Sequence, residues 1–166
     1  RVPGTPTIAN WLGQVLQPNE KVGIDGWVNT VSEAENLILE LKKYHLSLIT
    51  IEDPFISLWQ NRPSLPSEPI FIPETYSGRS CKEKLDLINN ELQKSQANAL
   101  LLSSLDEIAW TLNLRGKDVH CNPVFVSYLL ITPQANTLYI YPEKINQEVM
   151  AYLEHQQIQT KPYTAI

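Results

Sequence analysis

The residues of this chain able to do chemistry lie mostly between Leu105 and Ile131, in the run LDEIAWTLNLRGKDVHCNPVFVSYLLI. Asp106 and Glu107 are adjacent carboxylates, and an acid–base pair is one reading of them. Helical neighbours point about 100° apart, however. Both acids would sit in a first helical turn, where negative charge offsets exposed amide dipoles. A helix-starting role is the expectation. His120-Cys121 has the residue types of an imidazole–thiolate couple, but nucleophile and base need contact at about 3 Å, which adjacent residues rarely achieve. A surface turn is expected there. His45, His120 and His155 show no HxH, HExxH or Cys/His ligand spacing, so no metal site built from this chain alone is expected.

Arg115, Asn122 and Tyr128 make a different constellation. Arg115-Gly116 follows a helix end, where glycine can adopt the left-handed conformation and turn the chain. Asn122-Pro123 then sets an extended entry into a strand. A polar loop held between two anchored elements is a place where function sits. An arginine there could hold a carboxylate in a bidentate fork. Arg115 and Asn122 could equally do no more than tie down their own loop, and both readings stay open at this stage.

The elements that must position these residues follow from periodicity. Ile8, Trp11, Leu12, Val15 and Leu16 fall on one helical face. Lys21–Asp25 reads as a short strand. Thr30 with Glu33 forms a capping box for a helix whose stripe is Val31, Ala34, Ile38 and Leu41. Leu46–Ile51 reads as a second strand, followed by a turn at Asp53-Pro54 and a short helix over Phe55–Gln60. Pro63, Pro66, Pro69 and Pro73 then forbid helix or central strand and predict a stiff connection between two units. Beyond it, Ser80 and Glu83 cap a helix lined by Cys81, Leu85, Ile88 and Leu92. Ala99–Leu102 is a buried strand, and Ser104 with Glu107 caps a helix carrying Leu105, Ile108, Ala109 and Leu112. Val124–Ile131 and Thr137–Tyr141 form an antiparallel pair. A last helix carries Val149, Met150 and Leu153, and Ile158–Pro162 is an edge strand. Helix and strand alternate on both sides of the prolines, which predicts α/β units, the second with a mixed sheet.

With 43% hydrophobic and 19% charged residues, the chain can bury an ordinary globular core. Its net charge of −5, without a basic run, argues against nucleic acid or an anionic membrane as partner. No stretch approaches the ~18–20 apolar residues that span a bilayer, and no signal-peptide pattern is present. Cys81 and Cys121 form no CxxC motif and read as two free thiols in a reducing cytoplasm. Trp11, Trp27, Trp59 and Trp110 are scattered singly, as core packing or interdomain contact would have them. Arg1 stands where an initiator methionine would, and Ile166 follows directly on a strand-like stretch. Both ends therefore read as boundaries inside a longer polypeptide.

The run over Leu105–Ile131 resembles the middle part of the cytosolic three-domain type of aminopeptidase P, a metallopeptidase of family M24. Other segments agree in order: Lys21–Asp25, the W-x-x-R-P-x-x-P pattern of Trp59, Arg62, Pro63 and Pro66, and Tyr76-Ser77-Gly78 followed by Lys82. The resemblance implies creatinase N-terminal-domain-like (ribonuclease H-like) α/β units with mixed sheets. Residues 1–73 would be the later part of a first such domain, ending in the Pro-rich connection, and residues 74–166 a complete second one. The implied parent is an Xaa-Pro aminopeptidase that releases the N-terminal residue before proline, using two divalent metal ions, manganese by expectation, held in a catalytic domain that this segment lacks. The segment itself is then noncatalytic. It shapes access to the active site, with Arg115, Asn122 and Tyr128 as substrate-access candidates, and supports subunit association in a homodimer. Its partners would be the catalytic domain of the same chain and peptides with proline at the second position; the implied location is cytoplasmic. A freestanding creatinase-like peptide- or protein-binding module is the alternative, and a cysteine hydrolase using Cys121 a third reading.

Overall fold

Residues 4–73 and 78–166 are described in a computed structural model of the chain. Tyr76 and Ser77, and Arg1 at the N-terminus, lie outside the described residues. The chain divides into two compact units, Arg1–Pro63 and Ser64–Ile166.

The first unit contains α1 (Ile8–Val15), β1 (Lys21–Asp25), α2 (Val31–Lys42) and β2 (Ser47–Ile51). Thr7 opens α1 by accepting the Asn10 amide at 3.2 Å, and Thr30 and Glu33 form the full capping box of α2. The two strands pair in parallel from Lys21 opposite Ser47 to Asp25 opposite Ile51, with no third strand among the described residues. One small sheet can cover little apolar surface. Ala9, Leu41 and Leu46 are buried, with Leu12, Leu16, Leu37 and Leu48 packed around them. The predicted α1 stripe therefore splits: Leu12 and Leu16 face this cluster, while Ile8, Trp11 and Val15 are half-exposed or more. In α2 Leu37 and Leu41 pack in this cluster, whereas Val31 and Ile38 are exposed.

The helix expected over Phe55–Gln60 is instead a series of turns. Six residues are too few to nucleate a helix unaided. The Asp53 side chain also captures the Phe55 amide at 2.8 Å and pairs with Arg62, which lies 5.0 Å over the Trp59 ring.

The second unit contains α3 (Cys81–Lys94), β3 (Leu100–Leu102), α4 (Leu105–Leu112), β4 (Tyr128–Ile131), β5 (Asn136–Ile140), α5 (Gln147–His155) and β6 (Ile158–Pro162), with short 3₁₀ turns at Pro142–Lys144 and Tyr163–Ala165. Its sheet runs β3-β4-β5-β6, antiparallel twice and then parallel, so it is mixed as expected and β6 is an edge. Leu129 and Ile131 point to one face and pack with Ile108, Leu112, Leu138, Ile140, Val149 and Leu153 in one continuous core. Ile70, from the Pro-rich segment, is fully buried in that same core. Met150 is partly exposed, and α5 presents Val149 and Leu153 to the core with Tyr152 packed beside them. None of the four tryptophans is core: each is half-exposed or more.

Val124–Ser127, expected as the start of a strand, forms no ladder, and β4 begins at Tyr128. The Val124 amide bonds to Asn122 O at 2.8 Å and the Val126 amide to the Asp118 carboxylate at 2.6 Å, so neither is free for a neighbouring strand.

Three helices end on the same device. The amides of Leu46, Ala97 and Leu114 reach back to Leu41, Leu92 and Ala109, across His45, Gln96 and Asn113 in left-handed conformation at φ 57°, 54° and 54°. Glycine is the usual occupant of that position, and an L-residue there costs roughly 1–2 kcal/mol. Gln96 is exposed. Gln96→Gly should therefore leave the fold intact and raise stability by up to about 1 kcal/mol, after the unfolded-state entropy of glycine is subtracted. Urea denaturation measures it, and a loss of stability would contradict this account of the helix ends.

Candidate functional site

The loop from Arg115 to Ser127 is built from the end of α4 outward. The carbonyls at a helix C-terminus lack intrahelical donors and carry the negative pole of the helix dipole. Here other elements supply donors. Arg115 Nη1 donates to Ala109 O and to Leu114 O, each at 2.8 Å. The buried Lys84 Nζ, from α3, donates to Trp110 O and to Asn113 Oδ1, each at 2.5 Å, and lies 4.2 Å from the centre of the Trp110 ring. The Tyr152 hydroxyl, from α5, donates to Leu112 O at 2.8 Å. Burial lowers the Lys84 ammonium from its usual range and pushes the Cys81 thiol up to about 11.

The left-handed turn falls on Asn113 rather than on Gly116, whose φ is not positive. Gly116 serves close approach. A Cβ there would stand 2.7 Å from Phe125 Cβ and 2.9 Å from the Val124 carbonyl oxygen.

From Arg115 the chain forms a narrow hairpin. The Arg115 and Phe71 backbones exchange hydrogen bonds of 2.8 and 2.9 Å, the Gly116 amide donates to Pro123 O, and the Asp118 amide donates to Val124 O. At its base lies a completely buried ion pair. Lys144 Nζ sits 2.5 and 2.7 Å from the two Asp118 carboxylate oxygens, and both side chains have 0% exposure. Asp118 Oδ2 also accepts the Val126 amide at 2.6 Å, and Lys144 O accepts the Ile70 amide at 2.9 Å. One charge pair thus joins the hairpin, the turn after β5 and the Pro-rich segment. Sequence reasoning missed both residues. Neither Asp118 nor Lys144 belongs to a motif, and their separation of 26 positions follows no helical or strand period.

The predicted site residues are not assembled into one cluster. Arg115 is half-buried and bound to carbonyls, Asn122 is exposed at the hairpin tip, and Tyr128 lies on β4. The Tyr128 ring stacks on Tyr163 at 5.3 Å, and Tyr163 stacks on Tyr141 at 4.9 Å. No hydrogen bond links Arg115, Asn122 and Tyr128 among the described residues. The expected capping box of α4 does not form. Ser104 instead donates to Asp106 Oδ1 at 2.6 Å, and that bond together with the first-turn amides holds the Asp106 carboxyl below its usual range. Asp106 and Glu107 thus lie in the first turn of α4, where the expected helix-starting role puts them. Among the described residues no three His, Cys, Asp or Glu side chains converge as metal ligands. Among the described residues no helix is long and apolar enough to cross a membrane.

The profile of the creatinase/prolidase N-terminal domain matches residues 61–166. The chain belongs to the creatinase/prolidase N-terminal domain family. Its relatives include a probable Xaa-Pro aminopeptidase P of Penicillium rubens, 39% identical over 99% of this chain, and one of Paracoccidioides brasiliensis, 38% identical over 97%. The chain spans 27% and 26% of the length of these two proteins. Among solved structures, the X-prolyl aminopeptidase of Caenorhabditis elegans, described as a cytosolic enzyme with a di-nuclear active site, matches with a TM-score of 0.83 and 25% identity. That match covers 98% of this chain and 27% of the enzyme. The creatinase-like α/β architecture expected from the sequence is thus borne out.

In this family member the buried pair should dominate the local energetics. Asp118→Ala strands an ammonium in a dry site and is expected to lower stability by roughly 3–5 kcal/mol. Lys43→Ala, which removes the exposed 2.6 Å pair with Glu40, should change it little. Urea denaturation of the two variants makes the comparison, and equal effects would refute the assignment.

Proposed function

We propose that this chain is the noncatalytic N-terminal and middle region of an Xaa-Pro aminopeptidase, a metallopeptidase that releases the N-terminal residue preceding proline. The observation that carries this reading is identity of 39% along 99% of the chain to about a quarter of such a protein. In this reading residues 1–73 are the later part of a first creatinase-like domain, ending in the Pro-rich connection whose Ile70 packs in the second unit's core, and residues 74–166 are the second. Two divalent ions, manganese in this reading, belong to the catalytic domain of the same polypeptide, which acts on peptides with proline at the second position. The enzyme works in the cytoplasm as a homodimer. This region shapes access to the active site and supports subunit association.

Among the three access candidates, geometry favours different roles. Arg115 spends one guanidinium nitrogen on two carbonyls, which supports a loop-holding role. Asn122 is exposed and suits contact. Tyr128 is engaged in its aromatic stack.

Assays of the 166-residue chain and of the full-length protein on an Xaa-Pro peptide with manganese test the proposal. Turnover is expected from the full-length protein alone. Metal-dependent turnover that copurifies with the short chain would overturn it. In the full-length protein, Arg115→Ala is expected to lower the thermal midpoint while kcat/KM stays within about a factor of two. A large fall in kcat/KM at an unchanged midpoint would return Arg115 to a substrate-contacting role.

A further inference from the structure

In the second unit a groove of about 880 Å³ lies between α3, the β4–β5 turn and the connection from α5 to β6. Ligand sites commonly occupy roughly 300–1,000 Å³. Six of the residues lining it are carboxamides: Asn89, Gln134, Asn136, Gln156, Gln157 and Gln159. Asparagine and glutamine make up 22 of the 166 residues of the chain, so carboxamides are gathered here well beyond their share. Two of them are uncommitted. Asn89 Oδ1 and Asn136 Oδ1 are buried and have no hydrogen-bond partner among the described residues. A buried acceptor without a donor destabilises a fold, which is why nearly all are paired. Stability therefore does not account for these two amides, whereas a guest that donates hydrogen bonds does. A half-turn about χ2, a soft torsion in a carboxamide, presents either the oxygen or the amino group to such a guest.

The wall selects among guests. Its formally charged residues, Lys82 and Asp86, stand one helical turn apart on α3 and have opposite signs, so the groove favours neither an anion nor a cation. No phenylalanine, tyrosine or tryptophan lines it, and a sugar ring or a base finds no stacking platform. From Lys82 to Asn89 the helix rises about 10 Å at 1.5 Å per residue. That is the length of about three extended residues. A carboxamide carries both donors and an acceptor, so it can meet the N–H and C=O of a peptide group reciprocally. We propose that the groove binds a separate, uncharged, extended peptide segment of about three residues through its backbone amides, with Asn89 and Asn136 as the contacts that recognise it. The recognised group is the peptide bond itself, so neither a free amino terminus nor a proline is required. Every residue involved lies in the second unit of this chain, which makes the proposal independent of the aminopeptidase reading.

Saturation-transfer NMR with acetyl-triglutamine amide as the probe tests this on the full-length protein and on the 166-residue chain. Transfer to the peptide is expected from both, and none to maltotriose, a neutral hydroxyl-rich ligand of similar length. Asn89→Leu with Asn136→Leu replaces both carboxamides by apolar side chains of similar shape. It should weaken peptide binding at least about tenfold. The thermal midpoint should hold or rise, because two unpaired acceptors are removed. Gln134→Trp, at an exposed position of the β4–β5 turn, should fill the groove and abolish transfer, and it judges the proposal should the double variant fail to fold. No transfer from either protein would overturn the site and leave water as the partner of the two oxygens. Equal transfer to maltotriose would overturn the assignment to a peptide. Transfer from the short chain but not from the full-length protein would overturn it too, since the longer polypeptide would then fill the groove itself. Binding that survives the double substitution, with or without a lowered midpoint, would overturn the role of Asn89 and Asn136.

Discussion

A carboxylate and an ammonium with no exposure to water constrain the second unit more than any other interaction in it. Asp118 and Lys144 lie 2.5 Å apart, and neither can be moved without stranding the other. The Asp118 carboxylate also accepts the Val126 amide at 2.6 Å, and the Lys144 carbonyl oxygen accepts the Ile70 amide at 2.9 Å. The Pro-rich segment, the Arg115 hairpin and the turn leading into α5 therefore share one anchor. The hydrophobic core could tolerate exchange of one aliphatic residue for another of similar volume. The ion pair admits no single exchange, because either residue alone would be left as a buried charge without its partner.

The two units are stabilised in different ways. The second encloses its central strand, with Thr137, Leu138, Tyr139 and Ile140 all buried. It also neutralises the end of α4 with Lys84 and Arg115. The first rests on a two-stranded parallel sheet and a cluster around Leu41, and leaves Ile8, Trp11, Trp27 and Val31 open. Parallel strands are normally covered on both faces. The first unit thus has apolar surface beyond what its own described residues cover. The family profile begins at Asn61, close to the division between the units.

Much of this was legible in the sequence because local physics set it. The Thr30–Glu33 and Ser80–Glu83 capping boxes need only a three-residue spacing, and both form. The stripe of Cys81, Leu85, Ile88 and Leu92 packs as its period predicts. Features set by distant partners were not legible. Nothing local marks Asp118 as buried, because its partner Lys144 is far along the chain, and Val124–Ser127 reads as strand because nothing local shows that the Asp118 carboxylate takes the Val126 amide. Gly116 suggested a left-handed turn, whereas its lack of a side chain answers the approach of Phe125 and Asn113 makes the turn. The α1 stripe misled for a simpler reason: periodicity states which face could be buried, not whether a partner surface is large enough to bury it. Of the candidate loop, the polar run around Arg115 and Asn122 is legible in the sequence, whereas the Asp118–Lys144 pair that holds it is not.

The central claim is that the buried pair locks the hairpin to the core, and native-state hydrogen exchange at the Val126 amide tests it most directly. That amide is bonded to Asp118, not to a strand, so any local opening of the lock exposes it. The account predicts that Val126 exchanges only through global unfolding of the second unit, with the same opening free energy and denaturant dependence as core amides of β5. Exchange of Val126 at the rate of the exposed tip, with β5 still protected, would contradict it.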